Sequence, residues 1–194
     1  MLDKLFRAAV QRIVLPIGRA LGHIGLTPNM LTMTGFTIVL AAAAILVTGS
    51  PFAAGWTLFG GAIFDVLDGA VAKATGKVTI QGAFLDSTLD RLSDGAILGS
   101  VAWTYGVSSD KTGLALALVV LVAGFSVSYV KAKAEALGFT CNVGIAERSE
   151  RVGLIAIGLV FSVLKPALWI LAILSIITVA QRFLHVWNQA EQSS

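Results

Sequence analysis

Long apolar stretches recur along the chain and are separated by short segments rich in glycine, proline or charge. A helix of about 20 apolar residues crosses the hydrocarbon core of a bilayer. Six stretches approach that length: 30–48, 52–72, 82–105, 113–130 (continuing as helix to about 137), 147–164 and 166–187. The fifth has a short apolar part, so its charged start is expected at the membrane interface. The pattern predicts an all-α integral membrane protein with a six-helix transmembrane bundle over residues 30–188.

The N-terminal segment, residues 1–25, has a different pattern. Residues 2–22 have the pattern of an amphipathic helix, with Lys4, Arg7, Arg12 and Arg19 on or beside its polar face. These charges and Pro16 interrupt its apolar stretches, which is unlike a cleavable signal peptide. We expect an interfacial helix that lies on the membrane beside the bundle, within a single membrane domain covering residues 1–194.

Composition narrows the class of protein. Of 194 residues, 56% are hydrophobic and 13% charged, which is too apolar for an ordinary soluble domain. The single cysteine, Cys141, excludes an internal disulfide and a zinc site made of paired cysteines. We expect membrane lipid, and no nucleic acid, among the partners.

Positive charge is concentrated at one end of the predicted bundle. With six spans, both termini share a side with the loops 73–82 and 131–151. That side carries twelve basic residues and the other side only Lys111 and Lys165. The twelve are Lys4, Arg7, Arg12, Arg19, Lys73, Lys77, Arg91, Lys131, Lys133, Arg148, Arg151 and Arg182. The positive-inside rule predicts a multi-pass protein of the cell membrane whose termini and candidate site are cytoplasmic.

Four aspartates stand at this charged end of the second and third stretches. They form a D-x2-D pair, Asp65 and Asp68, and a D-x3-D pair, Asp86 and Asp90. These spacings place each pair on one helix face, and two opposed faces would gather four carboxylates. An uncompensated carboxylate costs about 2.5–3.5 kcal/mol at the bilayer centre, so a cation is expected among them. Oxygen ligands without histidine or cysteine favour Mg²⁺ or Mn²⁺, and two ions can share one carboxylate.

Glycines flank these aspartates, and their positions suit the binding of a ligand that contains phosphate. Gly69 and Gly82 lack side chains, which would let a nucleotide approach the helix backbone closely. The alternative is that they only allow two helices to pack together. The segment Leu26-Thr27-Pro28-Asn29 could cap the first span and could also face the nucleotide.

A second group of residues at the same end is polar and basic. Its members come from three spans: Ser128, Lys131 and Lys133 from the fourth, Arg148 and Arg151 from the fifth, and Arg182 from the sixth. Such groups bind phosphate well, so they predict a pocket for a phosphorylated acceptor. The alternative is that they anchor the protein to anionic lipid headgroups. Asp94 continues the aspartate spacing, but we interpret it as structural or supporting, because Arg91 and nearby polar groups could pair with it.

The complete pattern, D-x2-D-G-x2-A-K-x8-G-x3-D-x3-D from Asp65 to Asp90, resembles the signature of the CDP-alcohol phosphatidyltransferases. That signature normally has arginine where Lys73 stands, so the charge is kept but the forked geometry is lost. The six-span layout and the LTPN segment also resemble the family, so the likeness covers nearly the whole chain.

The resemblance implies an activity and residue roles. Family members cleave CDP-diacylglycerol, or a related CDP-linked donor, by attack of an acceptor hydroxyl, and they release CMP. Asp65, Asp68 and Asp86 would hold one metal ion, Asp86 and Asp90 a second, and Asp90 would be the general base. The residues implied to bind CDP are Asn29, Asp68, Gly69, Ala72, Lys73, Gly82 and Asp86.

Three further stretches resemble one group in the family, the phosphatidylinositol-phosphate synthases of actinobacteria. They are D-R-L-S-D-G-A from Asp90, S-Y-V-K-A-K-A-E from Ser128 and E-R-S-E-R from Glu147. That group joins CDP-diacylglycerol to inositol 1-phosphate, and the resemblance implies that the polar and basic residues above hold the inositol phosphate. Lys133 stands where arginine is more familiar. The resemblance also implies a homodimer. Glycerol 3-phosphate carries a phosphate too, so phosphatidylglycerophosphate synthase is the nearest alternative.

Two other classes share part of the pattern. Aspartate-rich membrane prenyltransferases use similar aspartate pairs with Mg²⁺, but they are generally longer and lack the glycine and alanine framing. A cation transporter would need polar groups along several spans, whereas these cluster at one face.

Overall fold

The computed structural model of the protein describes residues 14–192. In that range the chain forms helices joined by short turns, and no strand is found. A first helix, α1, covers residues 14–23; Lys4, Arg7 and Arg12 of the predicted amphipathic helix lie outside the described residues. Six longer helices follow: α2 (Pro28–Val47), α3 (Pro51–Thr75), α4 (Ile80–Val107), α5 (Lys111–Ala136), α6 (Arg148–Val160) and α7 (Leu164–Gln192).

Local sequence fixes where three of these helices begin. The Thr27 hydroxyl accepts a hydrogen bond from the Met30 amide at 3.3 Å, just before Pro28 opens α2. The Thr79 hydroxyl caps α4 in the same way, and the Asp110 carboxylate caps α5. The Thr79 cap places the second aspartate pair in the second and third turns of α4.

The six long helices form a closed ring in the order α2, α3, α6, α7, α5, α4. Its interior is filled by apolar side chains from all six helices, among them Leu46, Leu58, Ile97, Val120, Ile155 and Leu171. The shorter helix α1 packs closely against α3. The two approach so closely at Gly18 that a Cβ there would stand 2.8 Å from the Ala70 carbonyl. Ring closure brings α6 beside α3, although the two are far apart in sequence.

The outer surface of the ring confirms the membrane prediction. Large apolar side chains such as Trp103, Val122 and Ile173 are exposed there, which suits contact with lipid. Helices α2, α5 and α7 are long and apolar enough to cross a membrane. The protein is therefore an all-α membrane protein, as the sequence predicts.

One predicted boundary is wrong. The fifth stretch was expected to run to residue 164, but α6 ends at Val160 and α7 begins at Leu164, before Pro166. Ser162 adopts a left-handed conformation (φ 57°), and the Val163 amide donates to the Gly158 carbonyl at 2.9 Å. This is a Schellman ending, which glycine usually makes, so a serine gave no signal of it.

Candidate active site

Helices α3 and α4 bring three of the four motif aspartates together at one end of the ring. One carboxylate oxygen from each of Asp65, Asp68 and Asp86 lies within 4.8 Å of the other two. Asp68 is buried, and its Oδ2 accepts a hydrogen bond from the Thr32 hydroxyl at 2.7 Å. Thr32 comes from α2 and was not predicted; its only signal was a polar residue one turn into an apolar stretch.

These three aspartates fit a small hard cation. Oxygens that bind one Mg²⁺ at 2.0–2.1 Å lie at most about 4.2 Å apart, so small side-chain rotations would close the group around an ion. The bond from Thr32 orients one oxygen of Asp68, as groups behind metal ligands commonly do. Asp65, Asp68 and Asp86 are the residues that would hold the metal.

The fourth aspartate, Asp90, makes ion pairs instead. Its Oδ1 lies 2.8 Å from Arg148 Nη1, and its Oδ2 lies 3.4 Å from Arg91 Nη2. The same Nη1 of Arg148 lies 2.8 Å from Asp65 Oδ1. Arg148 stands at the start of α6 and was predicted only as a phosphate ligand. The structure places it between the aspartate cluster and the basic residues.

Asp94 pairs with both arginines of α6. Its Oδ2 accepts from Arg151 Nη2 at 2.7 Å, and its Oδ1 accepts from Arg148 Nε at 3.4 Å. Asp94 and Arg151 are buried, with 5% and 2% of their surface exposed. Arg91, which the sequence offered as a partner for Asp94, bonds to Asp90 instead.

A cavity of about 230 Å³ opens beside Asp68 and Asp86. All seven residues implied to bind CDP line it: Asn29, Asp68, Gly69, Ala72, Lys73, Gly82 and Asp86. A Cβ at Gly69 would meet no atom within 4 Å, so this glycine is not required for helix packing and leaves the cavity open. A Cβ at Gly82 would stand 3.1 Å from Asn29 Oδ1, so Gly82 does serve close packing. Lys77 also lines the cavity and was not predicted to bind.

A second cavity, of about 360 Å³, lies on the α5, α6 and α7 side. Five of the six residues predicted for the acceptor line it: Ser128, Lys131, Arg148, Arg151 and Arg182. The sixth, Lys133, is exposed on α5 and is not among the lining residues. Four further polar residues line it that were not predicted to bind the acceptor: Ser87, Arg91, Glu135 and Glu147.

We call this second cavity the acceptor cavity, after the residues predicted for the acceptor that line it. Two of its arginines differ in how they are held. Arg182 donates from Nε to the Val143 carbonyl and from Nη1 to the Val127 carbonyl, both at 2.8 Å. It therefore ties the loop before α6 to α5. Arg151 Nη1 is buried and has no hydrogen-bond partner among the described residues.

A third cavity, of about 220 Å³, begins at the aspartates and continues between apolar side chains. Asp65, Asp90 and Arg148 form its polar end, and Phe36 and Phe59 lie among its apolar lining. It shares Arg148 with the acceptor cavity. It shares Thr32 with the cavity beside Asp68 and Asp86, which we call the nucleotide-side cavity after the residues implied to bind CDP. The third cavity, which Asp65 and Asp90 line, therefore adjoins both of the others.

This fold and site define a membrane protein with a carboxylate centre suited to a divalent metal. The model of the CDP-alcohol phosphatidyltransferase family matches residues 25–187. The chain therefore belongs to the CDP-alcohol phosphatidyltransferase family, which confirms the resemblance seen in the sequence. It is a transferase enzyme of phospholipid biosynthesis.

Named relatives cover nearly the whole chain. The archaetidylinositol phosphate synthase of Pyrococcus horikoshii is 44% identical over 183 residues, 94% of each chain. The phosphatidylinositol phosphate synthase of Mycobacterium tuberculosis is 39% identical over 195 residues, covering 95% of this chain and 90% of the relative.

Solved structures agree in fold. The crystal structure of the Mycobacterium tuberculosis enzyme with CDP-DAG bound matches with a TM-score of 0.82 at 37% identity, covering 91% of this chain and 94% of that one. A structure of the same enzyme with manganese and citrate also has a TM-score of 0.82, at 36% identity over 90% of this chain and 88% of that one.

Proposed function

We propose that the protein transfers the phosphatidyl group of CDP-diacylglycerol to the hydroxyl of inositol 1-phosphate, forming phosphatidylinositol phosphate and CMP. The observation that carries the proposal is that three cavities adjoin one another: the cavity lined by Asp65 and Asp90 shares Thr32 with one neighbour and Arg148 with the other. One is lined by the nucleotide motif, one by basic residues, and one by apolar side chains. A nucleotide, an acceptor phosphate and a lipid chain would each find a matching compartment.

In the proposed reaction, one aspartate accepts a proton and three others would hold a metal ion. The acceptor oxygen forms a bond to the phosphorus that carries diacylglycerol, and the bond from this phosphorus to the bridging oxygen breaks, releasing CMP. Asp90 takes the proton of the acceptor hydroxyl, for which it needs hydrogen-bond reach. A divalent ion held by Asp65, Asp68 and Asp86 would neutralise charge on the diphosphate. We propose Mg²⁺ or Mn²⁺, with a second ion at Asp86 and Asp90.

The basic cavity supports a phosphorylated acceptor. Arg151 lines this cavity together with Ser128, Lys131 and Arg148. Arginine binds phosphate through parallel hydrogen bonds. The names of the archaeal and mycobacterial relatives share the inositol phosphate product, which favours this acceptor over glycerol 3-phosphate.

We also propose six membrane spans, with the site and both termini in the cytoplasm. Helices α3 and α4 have 25 and 28 residues, enough for about 38 and 42 Å of helix. Helix α6 has 13 residues and rises only about 20 Å, so the bilayer would have to be spanned by α6 together with the chain that flanks it. The basic side of the bundle supports the orientation. A homodimer is proposed from the family resemblance alone.

The test is CMP release by purified protein with Mg²⁺ and CDP-diacylglycerol, comparing inositol 1-phosphate, glycerol 3-phosphate, free inositol and serine. Release with inositol 1-phosphate alone supports the proposal. Release with glycerol 3-phosphate alone keeps the chemistry and overturns the acceptor. If folded protein releases no CMP with any of the four, the donor or the reaction class is wrong.

A further inference from the structure

We propose that Asp94 is a positioning residue for the acceptor: it fixes the directions of Arg148 and Arg151, which both line the acceptor cavity, so that their guanidinium groups meet the acceptor phosphate beside Asp90. The naming of the acceptor rests on the proposed function. The anion-binding geometry rests on the contacts of Asp94 itself.

Asp94 lies one helical turn after Asp90 on α4, with its side chain turned inward. Only 5% of the residue is exposed, and each of its two oxygens accepts a hydrogen bond from a different arginine of α6. A buried carboxylate is unfavourable unless it is paired, and here both oxygens are paired with charged donors. Asp94 therefore connects α4 to the start of α6 within the site.

Arg148 is held from two sides. Its Nε lies 3.4 Å from Asp94 Oδ1, whereas its Nη1 lies 2.8 Å from both Asp65 and Asp90. A guanidinium is planar, so contacts at two of its nitrogens determine the direction of the third. Without Asp94, Arg148 would follow Asp65 and Asp90 alone and would lose its fixed edge toward the acceptor cavity.

Arg151 is held between Asp94 and the backbone of α5. Its Nη2 donates to Asp94 Oδ2 at 2.7 Å. On the other side, a Cβ at Gly124 would stand 3.2 Å from Nε and 3.4 Å from Cζ, so the missing side chain makes room for the guanidinium. The nitrogen that remains, Nη1, has no hydrogen-bond partner in the described part of the chain. Arg151 lines the acceptor cavity, where an acceptor phosphate would meet its guanidinium.

The first variant is Asp94→Asn, which keeps the shape but removes the negative charge. We expect the KM for the acceptor to rise about 10- to 100-fold, the cost of weakening hydrogen bonds between charged groups. The KM for CDP-diacylglycerol should stay within about twofold. The matched control is Asp110→Asn, which breaks an aspartate–lysine pair at the opposite end of the bundle and should change neither KM. A role in folding alone would lower the unfolding temperature without this selective change, and that outcome, or equal rises in both KM values, overturns the proposal.

A second variant covers the case in which Asp94→Asn does not fold. Gly124→Ala leaves Asp94 intact but crowds the Arg151 guanidinium. We expect the same selective rise in acceptor KM, and an unchanged acceptor KM in folded Gly124→Ala protein contradicts the positioning role.

A binding measurement separates this proposal from the proposed function. Wild-type protein and the two variants are unfolded by heat with increasing inorganic phosphate. We expect phosphate to raise the unfolding temperature of the wild type and to do so much less in the variants. If neither inositol 1-phosphate nor glycerol 3-phosphate is turned over, the proposed function fails. The unfolding measurement with inorganic phosphate still tests the role of Asp94 in that case. Equal stabilisation of all three proteins, or none of the wild type, overturns the role of Asp94.

Discussion

Arg148 Nη1 lies 2.8 Å from Asp90 Oδ1, so the residue proposed as general base is ion-paired with a residue that lines the acceptor cavity. The two are 58 positions apart in sequence and meet because α6 closes the ring beside α3 and near α4. Since the same nitrogen also contacts Asp65, Arg148 connects the aspartates that would hold the metal, the proposed general base and the acceptor cavity. Its role is therefore wider than phosphate binding.

Arg148→Lys tests this role. Lysine keeps the charge, but one ammonium cannot reproduce contacts to three carboxylates made through two nitrogens of a planar group. We expect kcat to fall at least about tenfold, with smaller changes in donor KM. The measurement is steady-state CMP release. Lys165→Arg, which exchanges the same two residue types in an ion pair at the other end, serves as the control and should retain full activity.

Asp90→Asn should abolish transfer while fold and nucleotide binding are largely kept. The amide is nearly isosteric with the carboxylate but cannot accept the acceptor's proton at neutral pH. CMP release and CDP-diacylglycerol binding are measured on the same preparation. Full activity of the variant would remove Asp90 as the base.

Thr32→Val should weaken metal binding through Asp68. The hydroxyl donates a 2.7 Å hydrogen bond to Asp68 Oδ2, and loss of such a supporting bond typically reduces metal affinity about 10- to 100-fold. The measurement is the Mg²⁺ or Mn²⁺ concentration that gives half-maximal activity. Thr34→Val is matched to it, because Thr34 lies on the same helix at an exposed position and, within residues 14–192, its hydroxyl bonds to the Met30 carbonyl and to no aspartate. Equal metal requirements in the two variants would contradict the role of Thr32.

The sequence predicted the parts of the site that depend on helical spacing. Motif spacing predicted that Asp65, Asp68 and Asp86 lie close together, and the structure places them so. The family signature named seven residues for CDP, and all seven line the nucleotide-side cavity. Whether those residues bind as implied stays a prediction.

Contacts between distant helices had no local signal. The pairing of Asp94 with Arg151 and of Thr32 with Asp68 depends on how the ring closes, not on any period within one helix. The ending of α6 was missed for a different reason. Ser162 adopts the left-handed conformation that glycine usually takes, so the turn is invisible in composition.

The ion pair between Asp110 and Lys165 should give stability that depends on pH. The hydrogen bond from Lys165 Nζ, at 2.7 Å, and then the bond from the Gly113 amide lower the pKa of Asp110 below its ordinary value. A carboxyl whose pKa is lower in the folded state than its unfolded value of about 3.9 stabilises the fold above that pH. This stabilisation is lost as the pH falls through the folded pKa.

The unfolding temperature of the wild type should therefore exceed that of Asp110→Asn by a constant margin above about pH 5 and approach it below pH 4. Thermal unfolding in detergent at several pH values measures this. A margin that does not shrink in acid would show that the pair is not the source of the difference.

Gly69→Ala should impair donor binding without harming the fold. A Cβ there meets no atom within 4 Å and projects into the cavity lined by the nucleotide motif, so the bundle accepts it while the cavity narrows. Alanine also favours helix over glycine by about 1 kcal/mol, so stability should be kept or rise. We expect the KM for CDP-diacylglycerol to increase about tenfold or more at unchanged acceptor KM. Gly60→Ala is the matched control, since it lies on the same helix, is equally open, and is not among the residues that line the cavity. If both variants bind the donor as the wild type does, the nucleotide does not approach α3 at Gly69, and the glycine of the motif serves another purpose.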